Sequence, residues 1–353
     1  MAKNGTARRA GIIGAIVGVA AAGIAAGVAT ERILIRRTRA GADPLAGEPF
    51  GDLPYDEELT VTSADGIDLH VEILESDAGP PDLTIVFAHG FCLDMGTFHF
   101  QRRAFDGKYR MVFYDQPGHG RSGRLAEGEY TLDALGSGLA AVVDATVPTG
   151  RIVLVGHSMG GMTIMALAEQ APHFFVERVV GVVLISTSAG RLDEVTLALP
   201  DLMGRRLRHP LMPLVRNAGK ITVAMLDRGR RASTDLAWLL TRRYGFGTAH
   251  PSPALVSYVE RMNSATSAEV IARYLRTLYT HARLLALAAL RAEPVLVICG
   301  DNDALTPLAH SEEIIAALPD AELVVIEDAG HVVLLEHADA TNAAIEAFLR
   351  RVA

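Results

Sequence analysis

The chain has 353 residues, half of them hydrophobic, so it can form one large domain with an insertion or two modest domains. Its net charge of −8 argues against nucleic acid as a general partner. Both cysteines, Cys92 and Cys299, lie in apolar stretches, and no metal-ligand spacing is present. We therefore expect two buried thiols, with no disulfide, no metal and no organic cofactor.

The first 39 residues resemble a membrane-targeting segment. Residues 10–30 carry no charge and are rich in Ala, Gly, Ile and Val, and about 20 such residues span a bilayer. Basic residues flank them on both sides, so a single-pass anchor is predicted but its orientation is not. The alternative is a signal peptide cleaved near Gly27-Val28-Ala29, followed by export. Residues 40–58, rich in Gly, Pro and Asp, are predicted to be a linker.

Strands and helices alternate through most of the remaining chain. A β-hairpin is predicted over residues 59–74, because two alternating runs flank Ala64-Asp65-Gly66. Further strands are predicted over residues 83–88, 110–114, 152–155, 179–185, 295–299 and 322–326. Helical patterns separate most of them, which predicts an α/β fold with a mainly parallel, doubly wound sheet.

The alternation stops between residues 191 and 292. This segment has the pattern of several helices broken by Pro and Gly, and we interpret it as a helical cap inserted into a core of residues 59–190 and 293–353. It carries 15 Arg and one Lys against seven acidic residues, whereas the rest of the chain beyond the first 39 residues is strongly acidic. Two interpretations of these arginines are open: they bind an anionic lipid or acyl carrier, or they balance the charge of the acidic core.

The most informative stretch is residues 152–161. A buried strand leads into Gly156-His157-Ser158-Met159-Gly160, and an amphipathic helix follows to Gln170 and ends before Pro172. A G-x-S-x-G pattern between a strand and a helix places the serine on a sharp, strained turn, with its hydroxyl exposed above the sheet. Ser158 is therefore the candidate nucleophile.

A serine hydroxyl needs a base, and the base needs an orienting acid. Both should follow later strands, because ligands meet such sheets at the carboxyl ends of the strands. Asp301 and Asp303 follow the strand at 295–299, and Gly330-His331 follows the strand at 322–326. His331 is the candidate base. The order serine, acid, histidine is the one expected on this fold.

These motifs together resemble the α/β-hydrolase fold family, specifically its capped type. That type includes bacterial esterases, cofactor-free haloperoxidase-like enzymes and carbon–carbon bond hydrolases. The resemblance covers residues 59–190 and 293–353. The matching motifs are His89-Gly90, residues 115–122, Gly156 to Gly160, Gly300-x-x-Asp303-x-x-x-Pro307 and Gly330-His331.

The resemblance implies further assignments. The triad acid falls on Asp303, with Asp301 as its loop neighbour, and the backbone N–H groups of Phe91 and Met159 form the oxyanion hole. The expected activity is hydrolysis of esters or thioesters of a small or lipid-like acyl substrate, by a serine hydrolase tethered to a membrane. The alternatives are perhydrolase or haloperoxidase-like chemistry, carbon–carbon bond hydrolysis, and a catalytically silent tethered binding protein. Neither the substrate nor the oligomeric state is predicted.

Overall fold

The computed structural model describes residues 43–77, 83–192 and 234–353. The predicted anchor at residues 10–30 and much of the predicted cap, residues 193–233, lie outside the described residues. Within the described ranges, no helix is long and apolar enough to cross a membrane.

The described residues form an eight-stranded, mainly parallel sheet in the order β1-β2-β4-β3-β5-β6-β7-β8. The strands are β1 (Glu57–Thr62), β2 (Asp68–Leu74), β3 (Leu83–Ala88), β4 (Arg110–Tyr114), β5 (Arg151–His157), β6 (Val179–Ile185), β7 (Val295–Gly300) and β8 (Glu322–Ile326). β2 pairs antiparallel with both β1 and β4, and all other neighbours are parallel. The predicted α/β fold class is confirmed.

Helices connect the strands and flank the sheet. In the described part of the chain they are α1 (His99–Phe105), α2 (Leu132–Thr146), α3 (Met159–Gln170), α4 (Pro172–Arg178), α5 (Thr234–Gly245), α6 (Pro253–Ala265), α7 (Ala268–Tyr279), α8 (Leu308–Ala317), α9 (Val333–Glu336) and α10 (Ala338–Val352). Short 3₁₀ helices cover Met95–Phe98 and Leu284–Leu290. We refer to α5, α6 and α7, which lie between β6 and β7 in the chain, as the inserted helices.

Burial explains why the central strands are continuously apolar. Every residue of β3 and of β7 is buried, as expected for parallel strands covered by helices on both faces. β8, at the sheet edge, is buried only at Ile326, and Val325 is 38% exposed. Because β5 to β8 are successive parallel neighbours, their carboxyl ends lie on the same side of the sheet.

The sequence pattern predicts where α3 ends but not that another helix follows. α3 ends at Gln170, and α4 begins at Pro172. Proline suits the first position of a helix, where its missing N–H would have no intrahelical acceptor. The same proline that ends one helix therefore begins the next.

The described residues fall into two units. The smaller one contains residues 43–46 and 252–254, where the Asp43 carboxylate accepts hydrogen bonds from Leu45 N, Ser252 Oγ and Ala254 N. The larger unit contains the sheet and begins within the segment predicted as a linker. There the Phe50 ring stacks on Tyr258, with ring centroids 4.7 Å apart.

Several charged side chains are buried beside the 3₁₀ helix Met95–Phe98. The Glu72 carboxylate pairs with Arg102 at 2.5 Å and also with Arg121. Asp115 accepts hydrogen bonds from the backbone N–H groups of Met95 and Arg121. Together with Asp94, these side chains line a cavity of about 360 Å³.

Asp94 has no cationic side chain bonded to it in this cluster. Its Oδ1 atom accepts a hydrogen bond from Gly96 N at 2.9 Å and so caps the 3₁₀ helix. Burial and the nearby charge of Asp115 raise the pKa of Asp94 to about 6 from its ordinary 3.8. The ionised form of Asp94 is thus unfavourable in the folded protein.

Replacing Asp94 by Asn should stabilise the protein at high pH but not at low pH. Because the pKa is raised on folding, the stability linked to this proton is fully present below pH 3.8 and is lost as the pH rises through about 6. Asp94→Asn keeps the capping oxygen and stays neutral, so we expect it to raise the free energy of unfolding by about 1–3 kcal/mol at pH 8. At pH 4.5, which lies between the two pKa values, the difference should fall to about a third of its value at pH 8.

Chemical denaturation of wild type and variant at the two pH values provides the measurement. Asp65→Asn, at an exposed position of the β1–β2 turn, is the matched control. Equal effects of Asp94→Asn at pH 8 and pH 4.5 would contradict the assignment.

Candidate active site

Ser158 lies at the turn between β5 and α3. Its backbone has φ 52° and ψ −116°, a conformation that a residue with a Cβ atom rarely adopts. The turn requires two glycines. A Cβ atom on Gly156 would lie 2.6 Å from Gly161 N, and one on Gly160 would lie 1.9 Å from Ala88 O. The strained strand–turn–helix predicted around the serine is therefore present.

The structure brings the three predicted triad side chains together. His331 Nε2 lies 2.9 Å from Ser158 Oγ, and His331 Nδ1 lies 2.9 Å from Asp303 Oδ2. Asp303 follows β7, and His331 follows β8. All three are at least 90% buried. The imidazole is thus within hydrogen-bond distance of the hydroxyl and of the carboxylate at once.

The Asp303 carboxylate accepts several hydrogen bonds. They come from Leu305 N at 2.8 Å, Thr306 N at 2.9 Å and Thr306 Oγ1 at 2.8 Å, in addition to His331. Burial by itself would raise the pKa of Asp303, but the electrostatic interaction with His331 and the hydrogen bonds from His331 and Thr306 outweigh it and lower the pKa. The carboxylate is therefore held ionised.

Asp301, the neighbouring acid, has a different position. It is exposed, and its Oδ1 atom accepts a hydrogen bond from Ala329 N at 3.3 Å. Its own N–H donates to Ile326 O at 3.1 Å. Asp301 thus braces the loop that carries His331, while Asp303 is the acid that contacts the imidazole.

Phe91 and Met159, whose backbone N–H groups are the predicted oxyanion donors, lie on the loop after β3 and at the start of α3. Met159 is the first residue of α3, directly after Ser158, and the first N–H groups of a helix have no intrahelical acceptor. The loop that leads to Phe91 lies against this helix start, since a Cβ atom on Gly160 would meet Ala88 O.

The Met159 side chain is fully buried in a cluster with Met162 and Tyr274. Phe91 is half-buried and packs against the same cluster.

Two buried histidines brace the loops around the site. His157 Nε2 lies 3.0 Å from the carbonyl oxygen of His331, and burial together with the charge of His331 lowers the pKa of His157 to about 3. His89 Nδ1 contacts Gly90 O, and its Nε2 accepts a hydrogen bond from Gln116 N. Burial lowers the pKa of His89 to about 4. Both imidazoles are therefore neutral at ordinary pH.

Glu336 is a site residue that the sequence reasoning missed. Its carboxylate accepts hydrogen bonds from Gly247 N at 3.0 Å, Thr248 N at 2.8 Å and Gly330 N at 2.6 Å. The first two follow α5, and the third precedes His331. Glu336 thus ties the end of an inserted helix to the loop of the candidate base.

The two loops that Glu336 joins are in direct backbone contact. A Cβ atom on Gly247 would lie 2.3 Å from the carbonyl carbon of Ala329, and Val332 N donates to Gly245 O at 2.9 Å. The glycines on both sides were visible in the sequence, but nothing local in the sequence pairs segments more than 80 residues apart.

The cysteines are both free thiols. Cys299 is buried as expected, but Cys92 is only half-buried, because it lies on the loop beside Phe91 and not in a strand. The expectation of two buried thiols is wrong for Cys92. Among the described side chains, no group of three His, Cys, Asp or Glu is placed to hold a metal ion.

Comparison with known proteins identifies several relatives of this chain. The dihydrolipoyllysine-residue acetyltransferase component of the acetoin cleaving system from Pseudomonas putida is 29% identical over 79% of this chain. The match spans only 65% of that relative's length.

Two relatives match over most of their own length. The 2-hydroxy-6-oxononadienedioate/2-hydroxy-6-oxononatrienedioate hydrolase of a Pseudomonas species is 28% identical over 78% of this chain and 91% of its own. The 3-oxoadipate enol-lactonase 2 of Acinetobacter baylyi is 26% identical over 76% of this chain and 88% of its own.

The family model described as "alpha/beta hydrolase fold" matches residues 84–338, a range that includes Ser158, Asp303 and His331. This range covers well over half of the chain and contains the parallel strands β3 to β8. The chain therefore belongs to the alpha/beta hydrolase fold family.

Proposed function

We propose that the chain is a serine hydrolase that cleaves carboxylic esters or thioesters, with Ser158 as nucleophile, His331 as general base and acid, and Asp303 as the orienting carboxylate. One observation carries the proposal. His331 Nε2 lies 2.9 Å from Ser158 Oγ, and His331 Nδ1 lies 2.9 Å from Asp303 Oδ2. A nucleophile bonded to a base that is oriented by an acid is the arrangement that activates a serine hydroxyl.

Acylation begins when Ser158 Oγ attacks the carbonyl carbon of the substrate. His331 Nε2 takes the hydroxyl proton, and the ionised Asp303 stabilises the imidazolium that forms. The tetrahedral oxyanion accepts hydrogen bonds from the N–H groups of Phe91 and Met159. When the intermediate collapses, His331 gives the proton to the leaving alcohol or thiol, and an acyl-enzyme remains on Ser158.

Deacylation repeats these steps with water. His331 Nε2 takes a proton from the water molecule, whose oxygen attacks the acyl carbon. The same two N–H groups stabilise the second oxyanion. His331 then returns the proton to Ser158 Oγ, the carboxylic acid leaves, and the free enzyme is restored.

The relatives support ester cleavage and also one rival. A lactone is a cyclic ester, so the relative named enol-lactonase supports ester hydrolysis. The relative named as hydrolase of a 2-hydroxy-6-oxo dienedioate favours, as second candidate, carbon–carbon bond hydrolysis by the same residues. Turnover of a 2-hydroxy-6-oxo-dienoate in place of simple esters would favour that candidate. A peroxycarboxylic acid formed only with added hydrogen peroxide would indicate a perhydrolase.

We also propose that residues 10–30 anchor the enzyme in a membrane, on the basis of their apolar sequence and basic flanks. Carbonate-washed membranes should retain the full-length chain but release a variant carrying Ile16→Asp and Val19→Asp. An intact mass lacking about 29 residues would instead show a cleaved signal peptide.

Two arginines of the segment between residues 191 and 292 support charge balance as the role of its basic residues. Arg283 pairs with Asp133 and Glu169 of the core, and Arg273 lies 3.7 Å from Glu127. These pairs favour the acidic core over an anionic lipid or carrier as the partner of Arg273 and Arg283.

Ser158→Ala, His331→Ala and Asp303→Asn should each abolish most ester hydrolysis without unfolding the protein. We expect each to lower kcat by about 10⁴-fold or more, because the three groups act as a unit. Initial rates with 4-nitrophenyl esters of graded chain length, together with circular dichroism, provide the measurement. Ser264→Ala, which removes an exposed hydroxyl on α6, should leave kcat unchanged.

Full hydrolysis by Ser158→Ala would refute the proposal. A folded wild-type protein that turns over none of the esters, the dienoate or peroxide would instead favour a catalytically silent binding protein.

A further inference from the structure

The proposed mechanism gives no role to His119, a buried polar side chain beside the loop that carries Phe91. His119 lies in the turn after β4 and is 1% exposed. Its Nε2 atom is 3.1 Å from Cys92 N, and its Nδ1 atom is 3.1 Å from Pro117 O. A backbone N–H can only donate and a carbonyl can only accept, so the proton is on Nδ1 and the lone pair on Nε2 faces Cys92.

The residue that His119 contacts has a strained backbone. Cys92 has φ 60°, in the left-handed region that costs free energy for any residue with a Cβ atom. A strained conformation persists only where surrounding contacts hold it. The hydrogen bond from Cys92 N–H to His119 is such a contact, and it fixes the peptide plane between Phe91 and Cys92.

That peptide plane adjoins the proposed oxyanion donor. The N–H of Phe91 is bonded on the other side of the Phe91 Cα atom, so a shift of the Phe91–Cys92 peptide that displaces this Cα atom also displaces the N–H. The Phe91 ring also packs edge-on against His119, with centroids 6.0 Å apart. His119 therefore contacts both the backbone and the side chain of the segment that carries the donor.

His119 is also joined to the inserted helices. Tyr274, on α7, donates its hydroxyl proton to Pro117 O at 3.0 Å, the same carbonyl that accepts from His119. The Tyr274 ring lies 5.5 Å from the His119 ring and 6.3 Å from the Phe91 ring, measured between centroids. A displacement of α7 would therefore disturb the contacts that hold His119.

We propose that His119 is a positioning residue for the oxyanion hole: it holds the Phe91–Cys92 peptide through Cys92 N–H and couples that peptide to the inserted helix α7 through Pro117 and Tyr274. This inference rests on the proposed hydrolase function. Burial, with a smaller effect of the charge of His89, lowers the pKa of His119 to about 3, so the accepting form is present across the usual assay range.

The test separates the hydrogen bond from the ring packing. His119→Phe keeps an aromatic ring against Phe91 and Tyr274 but removes the acceptor. His119→Gln loses the ring but supplies an amide oxygen near the position of Nε2. With 4-nitrophenyl acetate, we expect His119→Phe to lower kcat about 10- to 100-fold with KM within about threefold, because an oxyanion hole acts mainly on the transition state. His119→Gln should recover most of that loss.

Two further variants are needed: one tests the backbone strain at Cys92, and the other is a control. Glycine adopts φ 60° without cost, so Cys92→Gly should raise the kcat of His119→Phe at least about fivefold while it does not raise that of wild type. His99→Phe removes a different buried imidazole, one bonded to Glu48, and should leave kcat unchanged.

Amide hydrogen exchange of residues 89–95 gives a readout independent of activity. It should be faster in His119→Phe than in wild type and His99→Phe. Unchanged kcat and unchanged exchange in His119→Phe would overturn the inference. If wild type itself hydrolysed no ester, the proposed function would fail, and exchange alone would still show whether His119 holds this loop.

Discussion

The tight turn at Ser158 is the constraint on which the rest of the site depends. A serine with positive φ is tolerated there only because Gly156 and Gly160 let the backbones of β5, α3 and the β3 loop approach within contact distance. The same turn makes Met159 the first residue of α3. One local geometry thus points the hydroxyl at His331 and directs a helix N-terminus toward the place where negative charge would develop.

The parallel sheet brings the partners of Ser158 to the same edge. Asp303 and His331 follow β7 and β8, and their loops are held by hydrogen bonds to Asp301, His157 and Glu336. Around them, burial keeps His157 and His89 neutral, whereas hydrogen bonds keep Asp303 ionised. The arrangement places an ionised carboxylate beside His331 and uncharged hydrogen-bonding groups behind the loops, which suits the proposed role of His331 as a base that gains and loses a proton.

The sequence was sufficient for the parts of the site that depend on local patterns. Alternation of strands and helices predicts the sheet, and the glycines around Ser158 predict the turn. Chain order predicts that His331 and an acid after β7 reach the serine, because parallel strands end on the same side of the sheet, and the family resemblance selects Asp303 over Asp301. The sequence could not predict the hydrogen bonds of Glu336 and Thr306 or the link from Tyr274 to His119, since each depends on how the folded chain packs. The half-buried state of Cys92 likewise follows from a loop conformation that no periodicity encodes.

Labelling with a fluorophosphonate tests the central claim, that His331 and Asp303 activate Ser158, most directly. The full-length protein would be treated with the probe, its intact mass measured, and the modified peptide sequenced beside Ser158→Ala. The account predicts one adduct, on Ser158, that is absent from the variant. An adduct that persists in Ser158→Ala, or no adduct on folded wild-type protein, would contradict it.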